Sequence, residues 1–186
     1  MGLFKITTGI MALSMLFSNC EEESNSKQYD LSNQKILFQY EYSNHAWGYQ
    51  HHGWMIDSAG DVHCYNLPDN WHNCDSLGLI DESLLESNLL QADSVCFTVD
   101  KIKLGSMLLL IEEAAKGEKL DPKQKMYDAG TEVYKAYILN TVTNKYESVI
   151  LKQTGDYQIE NKSQAAEELY NWLYSIKNEI KKSKRK

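Results

Sequence analysis

The sequence predicts an α+β fold: one domain in which an antiparallel sheet of about five strands packs with about three helices, the C-terminal helix docking on the sheet. Three features of the chain point there. Apolar residues alternate with period two from Ile36 to Tyr42, and the stretches 133–142 and 146–151 are rich in β-branched and aromatic residues. The stretch between those regions has helical spacing, and a last stripe from Ala166 to Ile180 recurs at steps of three and four.

From Lys35, Ile36, Phe38, Tyr40 and Tyr42 fall on one side while Gln39, Glu41 and Ser43 fall on the other, the mark of a half-buried strand. Tyr49 to Ile56 and Val62 to Tyr65 give two more strands. Asp57-Ser58-Ala59-Gly60-Asp61 joins them as a tight hairpin turn. Ser83-Leu84-Leu85-Glu86 has capping-box spacing, and Leu84, Leu85, Leu89 and Leu90 supply one face of a short helix. Val95 to Val99 reads as a strand or an extended link. Met107 to Lys116 reads as a second helix, with Gly117 as its stop. Val133 to Val142 and Tyr146 to Leu151 are rich in β-branched and aromatic residues, and Thr143-Asn144-Lys145 loops between them. Asn161 or Ser163 caps the final helix, whose Ala166, Leu169, Leu173, Ile176 and Ile180 face the sheet.

The ends of the chain carry a different message. Lys5 precedes an apolar run, residues 6–17, and then Ser18-Asn19, the layout of a secretory signal over residues 1–19. Twelve residues span only about 18 Å as a helix, too short for a hydrocarbon core of about 30 Å. Phe17-Ser18-Asn19-Cys20 resembles the lipobox of bacterial lipoproteins, in the looser form familiar among Bacteroidota. The resemblance covers about twenty residues. It implies a diacylglyceryl group on Cys20, cleavage before that residue, and attachment to the outer membrane on its periplasmic or cell-surface side. Several acyl chains on one terminus give durable attachment where a single chain holds marginally.

Residues 20–34 follow as an acidic tether, because Glu21 to Gln28 contains no apolar residue. The acidic stretch is similar to the surface-export signals of Bacteroidota lipoproteins, and it is equally a plain linker. The domain then occupies residues 35–182 and a basic tail residues 183–186. That tail belongs to the Lys181 to Lys186 cluster, which complements the last helix's dipole as a solvated end, or alternatively touches anionic lipid.

Without residues 1–19 the formal net charge moves from −7 to −8, a balance that argues against non-specific nucleic-acid binding. Twelve Tyr and four Trp are a generous supply for one small domain, and such side chains fill cores or anchor partners. The densest stretch runs from His45 to Trp54, with Trp71 nearby. Trp47, Tyr49, Trp54 and Trp71 are the candidate binding residues, for a protein or a glycan at the envelope. The alternative is that these rings form sheet core, with Gly48 and Gly53 at a bulge.

All five histidines lie between His45 and His72, together with Cys64 and Cys74. Imidazole and thiolate bind zinc or copper, so His63, Cys64, His72 and Cys74 form a candidate metal set. Adjacent residues of a strand point to opposite faces, which weighs against His63 and Cys64 sharing an ion. In an oxidising envelope a Cys64–Cys74 disulfide is the competing expectation, leaving Cys96 a buried thiol. No nucleophile elbow, phosphate loop or dinucleotide fingerprint is present; Gly105-Ser106-Met107 lacks the first of these. The expected function is therefore a lipid-anchored, non-enzymatic binding module of inhibitor or immunity type without a cofactor. The alternatives are zinc or copper handling and an envelope hydrolase.

Overall fold

A computed structural model describes residues 33–183; the signal, Cys20, most of the tether and the last three basic residues lie outside them. One nine-stranded sheet organises the fold. Its strands are β1 (Ile36–Asn44), β2 (Gln50–Asp57), β3 (Asp61–Asn66), β4 (Leu79–Asp81), β5 (Ser94–Thr98), β6 (Lys123–Gln124), β7 (Thr131–Asn140), β8 (Lys145–Gly155) and β9 (Tyr157–Glu160). The order across the sheet is β5-β3-β2-β1-β7-β8-β9-β6, and β4 pairs with β8 beside Lys145–Glu147. The paired strands are antiparallel.

Nine strands stand where about five were expected. β4, β6 and β9 have three, two and four residues, too few to display an alternating pattern; β4 and β9 form on the edge of the long β8, and β6 adds to β9. The helices are α1 (Glu82–Leu90), α2 (Lys101–Leu108), the single-turn α3 (Ile111–Ala115) and α4 (Gln164–Ser183). Among these described helices none is long and apolar enough to cross a membrane.

The sheet is covered on both faces. On the first, Phe38, Tyr40, Trp54, Ile56, Tyr134, Ile138 and Leu151 pack against Leu104, Met107 and Ile111 and against the Leu169, Leu173, Ile176 and Ile180 stripe of α4. At about 1.5–3 kcal/mol for each fully buried large apolar side chain, this layer dominates the stability. Ser163 starts α4: its Oγ accepts from Ala166 N at 3.1 Å, and Asn161 Oδ1 accepts from Ser163 N at 3.0 Å.

The second face is covered by residues 67–93. Ile80 and Leu85 complete a smaller core with Met55, Tyr65, Tyr137, Leu139 and Tyr146. The expected apolar face of the first helix holds only in part, since Leu85 is buried whereas Leu84 and Leu90 are exposed. Asp81, not Ser83, occupies its N-cap, and without a side-chain cap bond. Asn88 does the holding: its Oδ1 accepts from His72 N at 2.9 Å and its Nδ2 donates to His72 O at 2.7 Å. The second expected helix breaks in two at Leu109-Leu110, and starts earlier, where Asp100 accepts from Lys103 N.

Candidate functional site

β1 is the central strand that positions the site. Because both faces of the sheet are covered, the Gln39-Glu41-Ser43 side of β1 faces protein rather than solvent. Gln39 and Glu41 lie there beside His51 of β2, Tyr65 of β3 and Lys135 and Tyr137 of β7. Gly53 makes the arrangement possible, since a Cβ there would stand 2.1 Å from Tyr40 O and 2.7 Å from the Tyr65 hydroxyl. It is a regular strand residue opposite Glu41, and the expected bulge is absent at this position.

Glu41 is the hub. Its Oε2 pairs with Lys135 Nζ at 2.8 Å and accepts from Gln39 Nε2 at 3.0 Å, and its Oε1 meets His51 Nε2 at 3.2 Å. Gln39 Nε2 also donates to the Tyr65 hydroxyl at 3.1 Å, while the Tyr137 hydroxyl donates to Gln39 Oε1. Burial pushes the Glu41 carboxyl up, but Lys135 and His51 outweigh it and hold the pKa at about 2. Burial likewise opposes the Lys135 charge, yet Glu41 keeps its pKa above the usual lysine value. The Tyr65 and Tyr137 hydroxyls are pushed well up, chiefly by burial, and stay protonated.

Above this network opens a cleft of about 260 Å³, lined among others by Glu41, Ser43, His45, Tyr49, Asp69 and Trp71. His51 forms part of its wall and is 2% exposed, and its Nδ1 has no hydrogen-bond partner. Rings run in series from the hairpin loop to the sheet: His45 and Tyr49 lie 4.9 Å apart, Tyr49 and His51 6.0 Å, His51 and Trp71 5.1 Å, Trp71 and Tyr65 4.3 Å. Trp47, beside Gly48 with its φ of 94°, is 80% exposed at the tip of the same β1–β2 hairpin.

The four candidate binding residues therefore divide. Trp47 and Tyr49 are exposed and Trp71 walls the cleft, but Trp54 is 3% exposed on the opposite face, tilted against Tyr40 at 5.6 Å. Strand alternation explains this: the residue two beyond His52 faces the α4 layer. Trp54 is withdrawn from the contact surface.

The expected Cys64–Cys74 disulfide is replaced by Cys64–Cys96. Cys64 packs with the first face and Cys74 with the second, so the sheet separates them. Cys96 is the extra residue where the β3–β5 register shifts between Val62 and His63, and its Cα comes to 5.9 Å from that of Cys64. Cys74 is the free cysteine among the described residues.

The proposed metal set is also dispersed. Cys64 is spent in the disulfide and His63 Nε2 is 2.8 Å from Asp57 Oδ2, in the β2–β3 turn. The His72 backbone is clamped by Asn88. Among the described residues no three His, Cys, Asp or Glu side chains are placed to share an ion.

The sequence reading missed Gln39, Glu41 and Lys135. Their signal was faint: a polar side of β1 and one lysine in the apolar run of β7 match solvent-facing positions equally well. Comparison with protein-family models, with curated proteins and with solved structures gives no match, so the geometry of this cleft and its aromatic rim is what bears on function.

Proposed function

We propose that this protein is a lipid-anchored binding module of the bacterial envelope, of inhibitor or immunity type. It grips a protein partner with the hairpin tip and the cleft beside it. The single observation that carries the reading is the exposure of Trp47 beside an aromatic-walled cleft. A large apolar ring held out on a short loop suits a pocket on a partner, where aromatic anchors supply most of the binding energy. The anchor part rests on the lipobox-like Phe17-Ser18-Asn19-Cys20 and the acidic segment after it.

The contact is tested by photo-crosslinking in intact cells. A crosslinker at position 47 is expected to trap one protein that an equally exposed position, such as Leu109, does not. Equal patterns at both positions remove the contact surface, and capture of glycan alone transfers it to a carbohydrate ligand. For the anchor, Cys20→Ser is expected to release the protein from membranes and to abolish labelling by a palmitate analogue. Retention with labelling defeats it.

The same cleft supports a second reading, an envelope hydrolase. Ser43 is the cross-strand partner of His51, whose other neighbour is the ionised Glu41. A carboxylate that orients an imidazole beside a hydroxyl is the arrangement nucleophilic catalysis uses. A fluorophosphonate probe that labels the protein, with labelling lost in Ser43→Ala, establishes this reading, and no labelling retires it.

A further inference from the structure

A second cavity, on the opposite face of the sheet from the cleft, lies between the last turns of α4 and strands β2 and β3. It measures about 280 Å³ and is lined by Tyr40, Trp54, Cys64, Lys177, Ile180 and Lys181 among others. No part of the contact surface proposed above enters it.

The cavity's polar groups are out of balance. Trp54 is buried, and its indole Nε1–H has no hydrogen-bond partner. A buried donor left unmet costs about 1–3 kcal/mol, so such groups call for an explanation. Nearby, Glu132 is fully engaged. Its Oε2 meets Lys177 Nζ at 2.5 Å and the Tyr40 hydroxyl at 3.4 Å, while its Oε1 accepts from the Tyr134 hydroxyl at 2.9 Å. Lys177 also sits over the Tyr40 ring, 4.5 Å from its centre. Lys181, one turn further on, is exposed and forms no ion pair among the described residues. The lining thus combines Trp54, whose indole N–H is unmet, with the exposed Lys181; it is largely apolar, His52 and Asn66 add polar side chains, and no carboxylate is among its residues.

What complements it is an anion that only accepts hydrogen bonds and carries an apolar body. The volume limits that body: at about 30 Å³ for each small group, roughly ten non-hydrogen atoms fit. We propose that this cavity binds a small amphiphilic carboxylate. Its anion sits between Lys181 Nζ and the Trp54 indole N–H, and its apolar part rests on Tyr40, Ile180 and the Cys64–Cys96 bridge. The C-terminal end of α4 opposes an anion, and Lys181 and Lys182 in its last turn offset that dipole. The indole nitrogen is shielded from solvent, so entry shifts a side chain at the mouth. Lys181 is the exposed one.

The test uses the full chain secreted as Cys20→Ser, so that no acyl group of its own competes, with octanoate as the probe in isothermal titration calorimetry. Octanoate is expected to bind at one site with an affinity that falls as salt is added. Octanol is expected to bind at least about tenfold more weakly, the worth of one charge-assisted hydrogen bond, and octyltrimethylammonium not to bind. Trp54→Phe keeps the ring's bulk without the N–H, and Lys181→Met keeps a long side chain without the charge. Each is expected to weaken octanoate about tenfold, and Lys181→Met to leave octanol unchanged. Equal binding of octanoate and octanol, no saturation at millimolar octanoate, or indifference to Lys181→Met overturns the proposal. Lys181 is exposed, so that variant decides the matter even where Trp54→Phe fails to fold.

Discussion

At the scale of single residues, the Glu41–Lys135 pair dictates how stability responds to acid. Its side chains are 12% and 17% exposed, so removal of one partner strands a mostly buried charge. Glu41→Gln is expected to destabilise the fold by about 3 kcal/mol in chemical denaturation. The folded pKa of about 2 lies below the ordinary value of 4.5. The stabilisation is therefore complete above pH 4.5 and is lost as pH falls toward 2. In acid titrations the wild type is expected to lose stability steeply across that window and Glu41→Gln to lose less; parallel curves refute the assignment. The two hairpin tryptophans behave oppositely. Trp47→Ala is expected to change stability by less than about 0.5 kcal/mol, and Trp54→Ala to cost about 3–5 kcal/mol. The sequence marked both rings as binding candidates, because their opposite fates depend on the register of β2, which neighbouring strands set. It marked neither Glu41 nor Lys135, which are far apart in the chain and meet only through the β1–β7 pairing.

At the scale of elements, the stripe on α4 was the clearest signal in the sequence, and the helix buries that stripe. Leu173→Ala is expected to cost about 2–5 kcal/mol, measured by urea unfolding, since Leu173 is fully enclosed by the first face. The strands of eight residues or more were equally legible. What escaped was shorter or differently held. β4 and β6 take their order from β8 and β9, and the Met107 to Lys116 run hid the break at Leu109-Leu110. α1 showed four leucines in its sequence but is fixed by a polar residue. Asn88→Ala leaves His72's backbone amide and carbonyl without their partner, and is expected to cost about 1–3 kcal/mol. Amide exchange should rise in residues 67–75 and stay unchanged in α4; a uniform rise would show that Asn88 supports the whole fold rather than the clamp.

At the scale of the whole molecule, the α+β architecture was readable but the two-sided covering was not. β1 looked half-buried because Gln39, Glu41 and Ser43 are polar, and only the 67–93 cover turns that side inward. The Cys64–Cys96 bridge spans 32 positions, so its loss through Cys96→Ala is expected to lower stability by about 3–4 kcal/mol. A change near zero under oxidising conditions would count against the bridge. The two bridged cysteines stand at the roots of one excursion, since the chain between them contains the loop, β4 and α1 that roof the second face. A roof fastened at both ends by a covalent bond has a short way to return. Opening of that roof, which must break the β4–β8 pairing, is expected to expose Glu41 and Lys135 and to cost less chain freedom on reclosing than it would without the bridge.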